Sequence, residues 1–188
     1  MTSVRSPGAT LSIGLVALLL GLAPALGQED YGFMPKGGKT LLLELTKSNS
    51  SELRQIGTAR HSEAEWRAFV TARTKSMNDR DVDELSAYLA INTPLPESVL
   101  DKAAAAGNLT TAFPADGREL AWNQCQLCHS LFSSYLTQDR DLRGWRSTFL
   151  SPFHRGIKMT AQERETFARY SAASMPMKVE NVPADLRF

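Results

Sequence analysis

Two thiols and an imidazole stand together at Cys125-Gln126-Leu127-Cys128-His129, and the chain contains no other cysteine. A disulfide across so short a span closes almost no loop and so stabilises little, which gives the pair a chemical use rather than a structural one. Cys-x-x-Cys followed at once by His is the attachment pattern of a c-type haem. Two thiols at this spacing reach the two vinyl groups along one porphyrin edge, while the adjacent imidazole turns under the ring toward the iron. Competing chemistries lack parts: a thioredoxin-like dithiol needs a βαβ setting that the pattern does not provide, and tetrahedral zinc needs four ligands. Beyond the motif the only other histidines are His61 and His154. The expectation is one covalently attached haem c per chain, held by Cys125 and Cys128, with His129 as the proximal iron ligand.

The start of the chain sets the compartment. Arg5 is the only charged residue before Glu29, Leu11 to Leu22 is an apolar run too short to span a bilayer comfortably, and Ala25-Leu26-Gly27 has the small residues of a cleavage site. Residues 1–27 therefore read as a signal peptide, the alternative being an uncleaved anchor, and the mature chain as exported and periplasmic. No later stretch reads as a transmembrane segment. Removing the leader takes away one basic residue and leaves 20 Lys+Arg against 20 Asp+Glu. That balance speaks against a general nucleic-acid or other polyanion binder, while a local patch for a redox partner would not register in a net count.

Helical elements must carry the motif. Gly117-Arg-Glu-Leu-Ala-Trp-Asn-Gln leads into Cys125, and Thr160 with Glu163 marks a capping-box start for a last amphipathic helix that stops at Pro176. With Gly117 ahead of Cys-x-x-Cys-His and a closing amphipathic helix, the stretch from about Gly117 to Ala173 resembles the class I cytochrome c domain. The resemblance implies an all-α, cytochrome c-like helical fold around one haem, with the first and last helices crossing beside it.

Laid over itself so that Met77 falls on Met159, the chain also aligns Asn78 with Thr160, Tyr88 with Tyr170, Ala90 with Ala172 and Pro94 with Pro176. Upstream, Glu65-Trp66-Arg67 faces Gly144-Trp145-Arg146, with a longer loop before the methionine in the second copy. Val82, Leu85 and Leu89 form an apolar face in the first copy, matched by Phe167, Tyr170 and Ala173 in the second. The alternative is chance likeness between two amphipathic helices. The expected organisation is a signal peptide (1–27), a helical, degenerate cytochrome-like unit without haem (28–96), a linker (97–113) and a haem-binding cytochrome c domain (114–188).

The sixth iron ligand is the open question of the sequence. A methionine opposite His129 would raise the reduction potential and close the site, whereas an open position would admit gases or other small ligands. Met175 comes first, because it precedes a proline and its counterpart in the other copy is Thr93. Met159 is the alternative, although Met77 holds the matching place where no haem is expected and so explains a methionine there by packing. Met177, His154 or no ligand complete the possibilities. Trp122 and Trp145 read as core, His61 as a surface residue at a helix start, and Arg140, Arg143, Arg155 and Lys158 as solvated cations or partners of haem propionates.

The expected function is an electron carrier moving one electron between a redox enzyme, such as a periplasmic dehydrogenase, and an acceptor protein. The alternatives are a haem subunit permanently bound in an oxidoreductase complex, with residues 31–96 as its docking part, and a haem-based sensor with an open sixth position. No second metal, nucleotide loop or paired acid and base accompanies the motif, so an enzyme in its own right is not expected.

Overall fold

Polar caps mark where the chain turns helical. In the computed structural model, which describes residues 31–188, α1 (Gly38–Thr46), α2 (Ser50–Thr58), α3 (Glu63–Arg73) and α4 (Asp79–Asn92) are followed by α5 (Glu97–Ala105), α6 (Gly117–Cys125), α7 (Leu142–Ser147) and α8 (Ala161–Ser174). Ser62 with Glu65, Asp116 with Glu119, and Thr160 with Glu163 each close a full capping box at the starts of α3, α6 and α8. Asn78 caps α4 through its side chain alone, accepting from the Asp81 N–H. Each such cap satisfies N–H groups that would otherwise lack a partner and is worth about 0.5–2 kcal/mol. Both α4 and α8 end just ahead of Pro94 and Pro176, as the sequence implies. The described residues are all-α with no strand, and none of their helices is long and apolar enough to cross a membrane. The expected leader lies outside the described residues.

Two apolar clusters organise these helices. The first gathers Leu41, Leu42, Leu53, Trp66, Leu85, Tyr88 and Leu89 from α1 to α4. The second gathers Leu120, Ala121, Tyr135, Trp145, Phe149, Phe167 and Tyr170 around α6, α7 and α8. In each, the first and last helices cross at a glycine. A Cβ on Gly38 would lie 2.2 Å from Tyr88 Cβ, and one on Gly117 would lie 2.1 Å from Tyr170 Cβ. Only a residue without a side chain lets the two backbones come this close, so the helix start and the tyrosine specify each other.

The halves exchange the segments that precede their first helices. Met34, ahead of α1, packs in the second cluster, and Phe113, ahead of α6, packs in the first. The Tyr170 hydroxyl donates to the Pro35 carbonyl and the Tyr88 hydroxyl to the Pro114 carbonyl, both at 2.7 Å. Helices α4 and α8 also pack on each other, where Asn92 donates to the Thr166 hydroxyl at 3.1 Å and Gln162 donates to Asn92 Oδ1 at 2.9 Å. The backbone repeats as well: Leu95 N–H donates to the Gly57 carbonyl, Met177 N–H to the Leu136 carbonyl, each at 2.7 Å.

Two details depart from the sequence reading. In the stretch read as a linker, residues 97–113, the short helix that the sequence allows at 97–106 forms as α5; the departure is that the stretch, with a 3-10 turn (Leu109–Ala112), buries Leu100, Ala103, Leu109, Ala112 and Phe113 in the first cluster. On α8, Ala173 is exposed. The buried stripe runs instead through Phe167, Tyr170 and Ser171 to Met175, because a 3.6-residue turn carries the face past Ala173.

Candidate functional site

Helix α6 stops at Cys125, and its capping box and the Gly117–Tyr170 crossing fix where that last residue emerges. The following turn leaves Cys128 and His129 exposed and Cys125 half-buried, with both thiols free. The Ser134 hydroxyl lies 2.7 Å from His129 Nδ1, which commits that nitrogen to a hydrogen bond and leaves Nε2 available. A second partner of this kind sets the tautomer and orientation of a ligating imidazole. Burial pushes the Cys125 thiol up to about 12, away from the thiolate form.

Beside the motif lies a cavity of about 940 Å³. Cys125, Cys128 and His129 line it together with the large rings of Tyr135, Trp145, Phe149 and Phe167 and with most of the segment from Phe153 to Met159. The volume is at the top of the usual range for ligand pockets, roughly 300–1,000 Å³. Leu127 and Phe153, 70% and 91% exposed, line it. Large apolar side chains left this bare gain stability when a flat apolar group covers them. Among the described residues no three His, Cys, Asp or Glu side chains gather into a metal-binding cluster. Two thiols, one imidazole and an apolar slot are the donor set that suits a porphyrin, whose ring supplies the remaining nitrogens itself. The residues fit a covalently attached haem.

The first half shows what the same architecture looks like without such a slot. Counted from the paired glycines and tryptophans, Thr46, Asn49 and Ser50 stand where the second half has Cys125, Cys128 and His129. The corresponding space, between Thr46, Gln55, Ile56, Phe69 and Arg73, holds only about 10 Å³. Phe69 occupies it, with the Arg73 guanidinium 3.8 Å from its ring centroid, and the matching residue in the second half is the small Thr148, which lines the large cavity. One aromatic side chain and three polar replacements distinguish a filled half from a hollow one.

The candidates for the second iron ligand separate in space. Met159 lines the cavity and is buried in the second cluster; its counterpart Met77 packs against the first. Met175 ends α8 and is buried in the second cluster without reaching the cavity wall, and Met177 packs at the same cluster's edge. His154 does line the cavity. Arg140 and Lys158 also line it, whereas Arg143 and Arg155 do not. Trp145 is buried, Trp122 is half-buried against Tyr31 and Phe33, and His61 is exposed with its ring on Trp66.

Ser134, Thr148 and Phe153 escape a reading of the motif alone. Thr148 was accessible from the internal alignment, since a small polar residue opposite Phe69 marks a difference in volume; Ser134 and Phe153 carry no such signal. The chain matches no protein-family model, no curated protein and no solved structure.

Proposed function

We propose that this chain is a single-haem c-type cytochrome, exported to the periplasm, that carries electrons between a redox enzyme and an acceptor protein. The observation that carries the reading is the hollow beside Cys125, Cys128 and His129, set against the filled space at the corresponding place in the other half. When bound, the haem supplies reversible one-electron chemistry at its iron. Cys125 and Cys128 hold it by thioether bonds, and His129, steered by Ser134, ligates the iron. Tyr135, Trp145, Phe149 and Phe167, which line the cavity, would exclude water from a bound haem and so favour its less charged state. Arg140 and Lys158, which line the cavity, would pair with the propionates of a bound haem. The first half then serves as a haem-less, cytochrome-like unit that braces the working one through α4 and α8 and through the exchanged segments.

A permanently docked subunit would call for an exposed apolar face on residues 31–96, and among the described large apolar side chains the strongly exposed ones lie outside that range. A redox titration of the purified protein tests the carrier reading. The expected result is a single reversible one-electron couple that a small-molecule reductant and oxidant cycle without loss. A protein that takes up no electron at its haem, or turns over a substrate on its own, would contradict it.

A further inference from the structure

We infer that His154 is the second axial ligand of the haem iron, making the centre bis-histidine rather than histidine–methionine; this rests on the haem reading above. His154 lines the same cavity as the motif, and its ring centroid lies 6.1 Å from that of His129. Metal–imidazole bonds are about 2 Å long. Two rings on opposite sides of one iron therefore stand about 6 Å apart, centre to centre, once the distance from each nitrogen to its ring centre is added. The near-perpendicular setting of the planes, 86°, is compatible with this.

His154 Nδ1 is buried and has no hydrogen-bond partner. A buried polar atom without a partner costs about 1–3 kcal/mol and calls for an explanation. With Nδ1 closed off, Nε2 is the ring nitrogen left to face the cavity.

The loop that carries His154 is also the place where the two halves differ in length. Between its tryptophan and its methionine the second half is longer than the first, so the added residues belong to the hollow half alone. The loop is held by bonds from the His154 N–H to the Ser151 carbonyl at 3.1 Å and from Arg164 on α8 to the Ile157 carbonyl at 3.1 Å. Met159, by contrast, has its packing counterpart in Met77 and needs no iron to account for it.

The test uses the full-length protein expressed with haem-attachment machinery and compares wild type, His154→Ala, His154→Met and Met159→Leu. Covalent haem is measured first, on denatured protein; electron paramagnetic resonance and near-infrared magnetic circular dichroism of the oxidised protein then report the axial pair. A bis-histidine centre gives a low-spin bis-imidazole signature, no sulfur-to-iron charge-transfer band, and no carbon monoxide binding to the reduced form. His154→Ala should become high-spin and bind carbon monoxide, and added imidazole should restore the low-spin signal, which a merely structural role would not do. His154→Met should remain six-coordinate at a higher potential, and Met159→Leu should keep the low-spin bis-imidazole signature of the wild type. A sulfur-to-iron band in the wild type that Met159→Leu abolishes overturns the inference while leaving the haem reading intact. Absence of covalent haem from the wild type overturns both.

Discussion

Gly117 and Tyr170 meet so closely that a Cβ on the glycine would sit 2.1 Å from Tyr170 Cβ and 3.0 Å from the Thr166 carbonyl oxygen. The first contact is with the root of a buried ring and the second with backbone, so neither neighbour can swing away. Gly117→Ala must therefore push α6 off α8, and overpacking of this kind costs about 1–3 kcal/mol or more. Thermal unfolding should show a marked loss for Gly117→Ala and a similar one for Gly38→Ala, which meets Tyr88 in the same way. Gly32→Ala, where the added methyl meets nothing, should leave the midpoint unchanged.

Glu84 is buried, accepts from the Gly38 N–H at 3.0 Å, and is pushed up to about 8, chiefly by burial, with Arg80 opposing the rise and Asp116 adding to it. Between the ordinary carboxyl value near 4.5 and about 8, the folded protein holds a proton that the unfolded chain has released. Folding stability is thus greatest below the unfolded value and falls as pH rises through the folded one. Denaturant titrations from pH 5 to pH 8 should show a loss of several kcal/mol, because retaining one proton over a tenfold fall in its concentration is worth about 1.4 kcal/mol. Glu84→Gln keeps the acceptor oxygen and should flatten the profile; an equally steep profile in that variant would refute the assignment.

Phe69 fills the first half's counterpart of the large cavity. Phe69→Ala should cost about 1–3 kcal/mol, less than a fully buried phenylalanine because the ring is only half-buried. It should open the pocket without adding a second haem, since Thr46, Asn49 and Ser50 offer neither thiol nor imidazole. The haem content per chain is the readout, and it should stay at that of the wild type.

The reciprocal change is Thr148→Phe. A ring at that position intrudes into the large cavity, so haem loading should fall severalfold even though Cys125, Cys128 and His129 are untouched. Loading measured against total protein, with circular dichroism confirming helix content, separates exclusion of the ligand from misfolding. Undiminished loading would show that the Phe69–Thr148 difference does not govern the slot.

Helix starts were plain in the sequence where a capping box wrote them, as at Thr160–Glu163, and helix ends where prolines forbade continuation, as at Pro94 and Pro176. The paired tryptophans and tyrosines were also readable, because a repeat needs only comparison of the chain with itself. What periodicity does not reveal is which surface an apolar face meets. Met34 packing in the far cluster, and Phe113 in the near one, depends on an exchange that leaves no local mark. For the same reason residues 97–113 read as a linker although they bury five apolar side chains. At the site, the Cys125–His129 pattern stood out in the sequence, while Ser134 beside His129, and His154 in the lining of the same cavity, are brought there by loops whose path only the fold defines.

The proposed function stands or falls with covalent attachment of one haem at Cys125 and Cys128. Intact-mass spectrometry of denatured protein, produced with haem-attachment machinery, reads that attachment without intermediates. The expected wild-type mass equals the chain plus one haem, and the Cys125→Ala/Cys128→Ala double variant should have the mass of the chain alone. A wild type that carries no covalent haem, or a double variant that still carries one, would contradict the proposal.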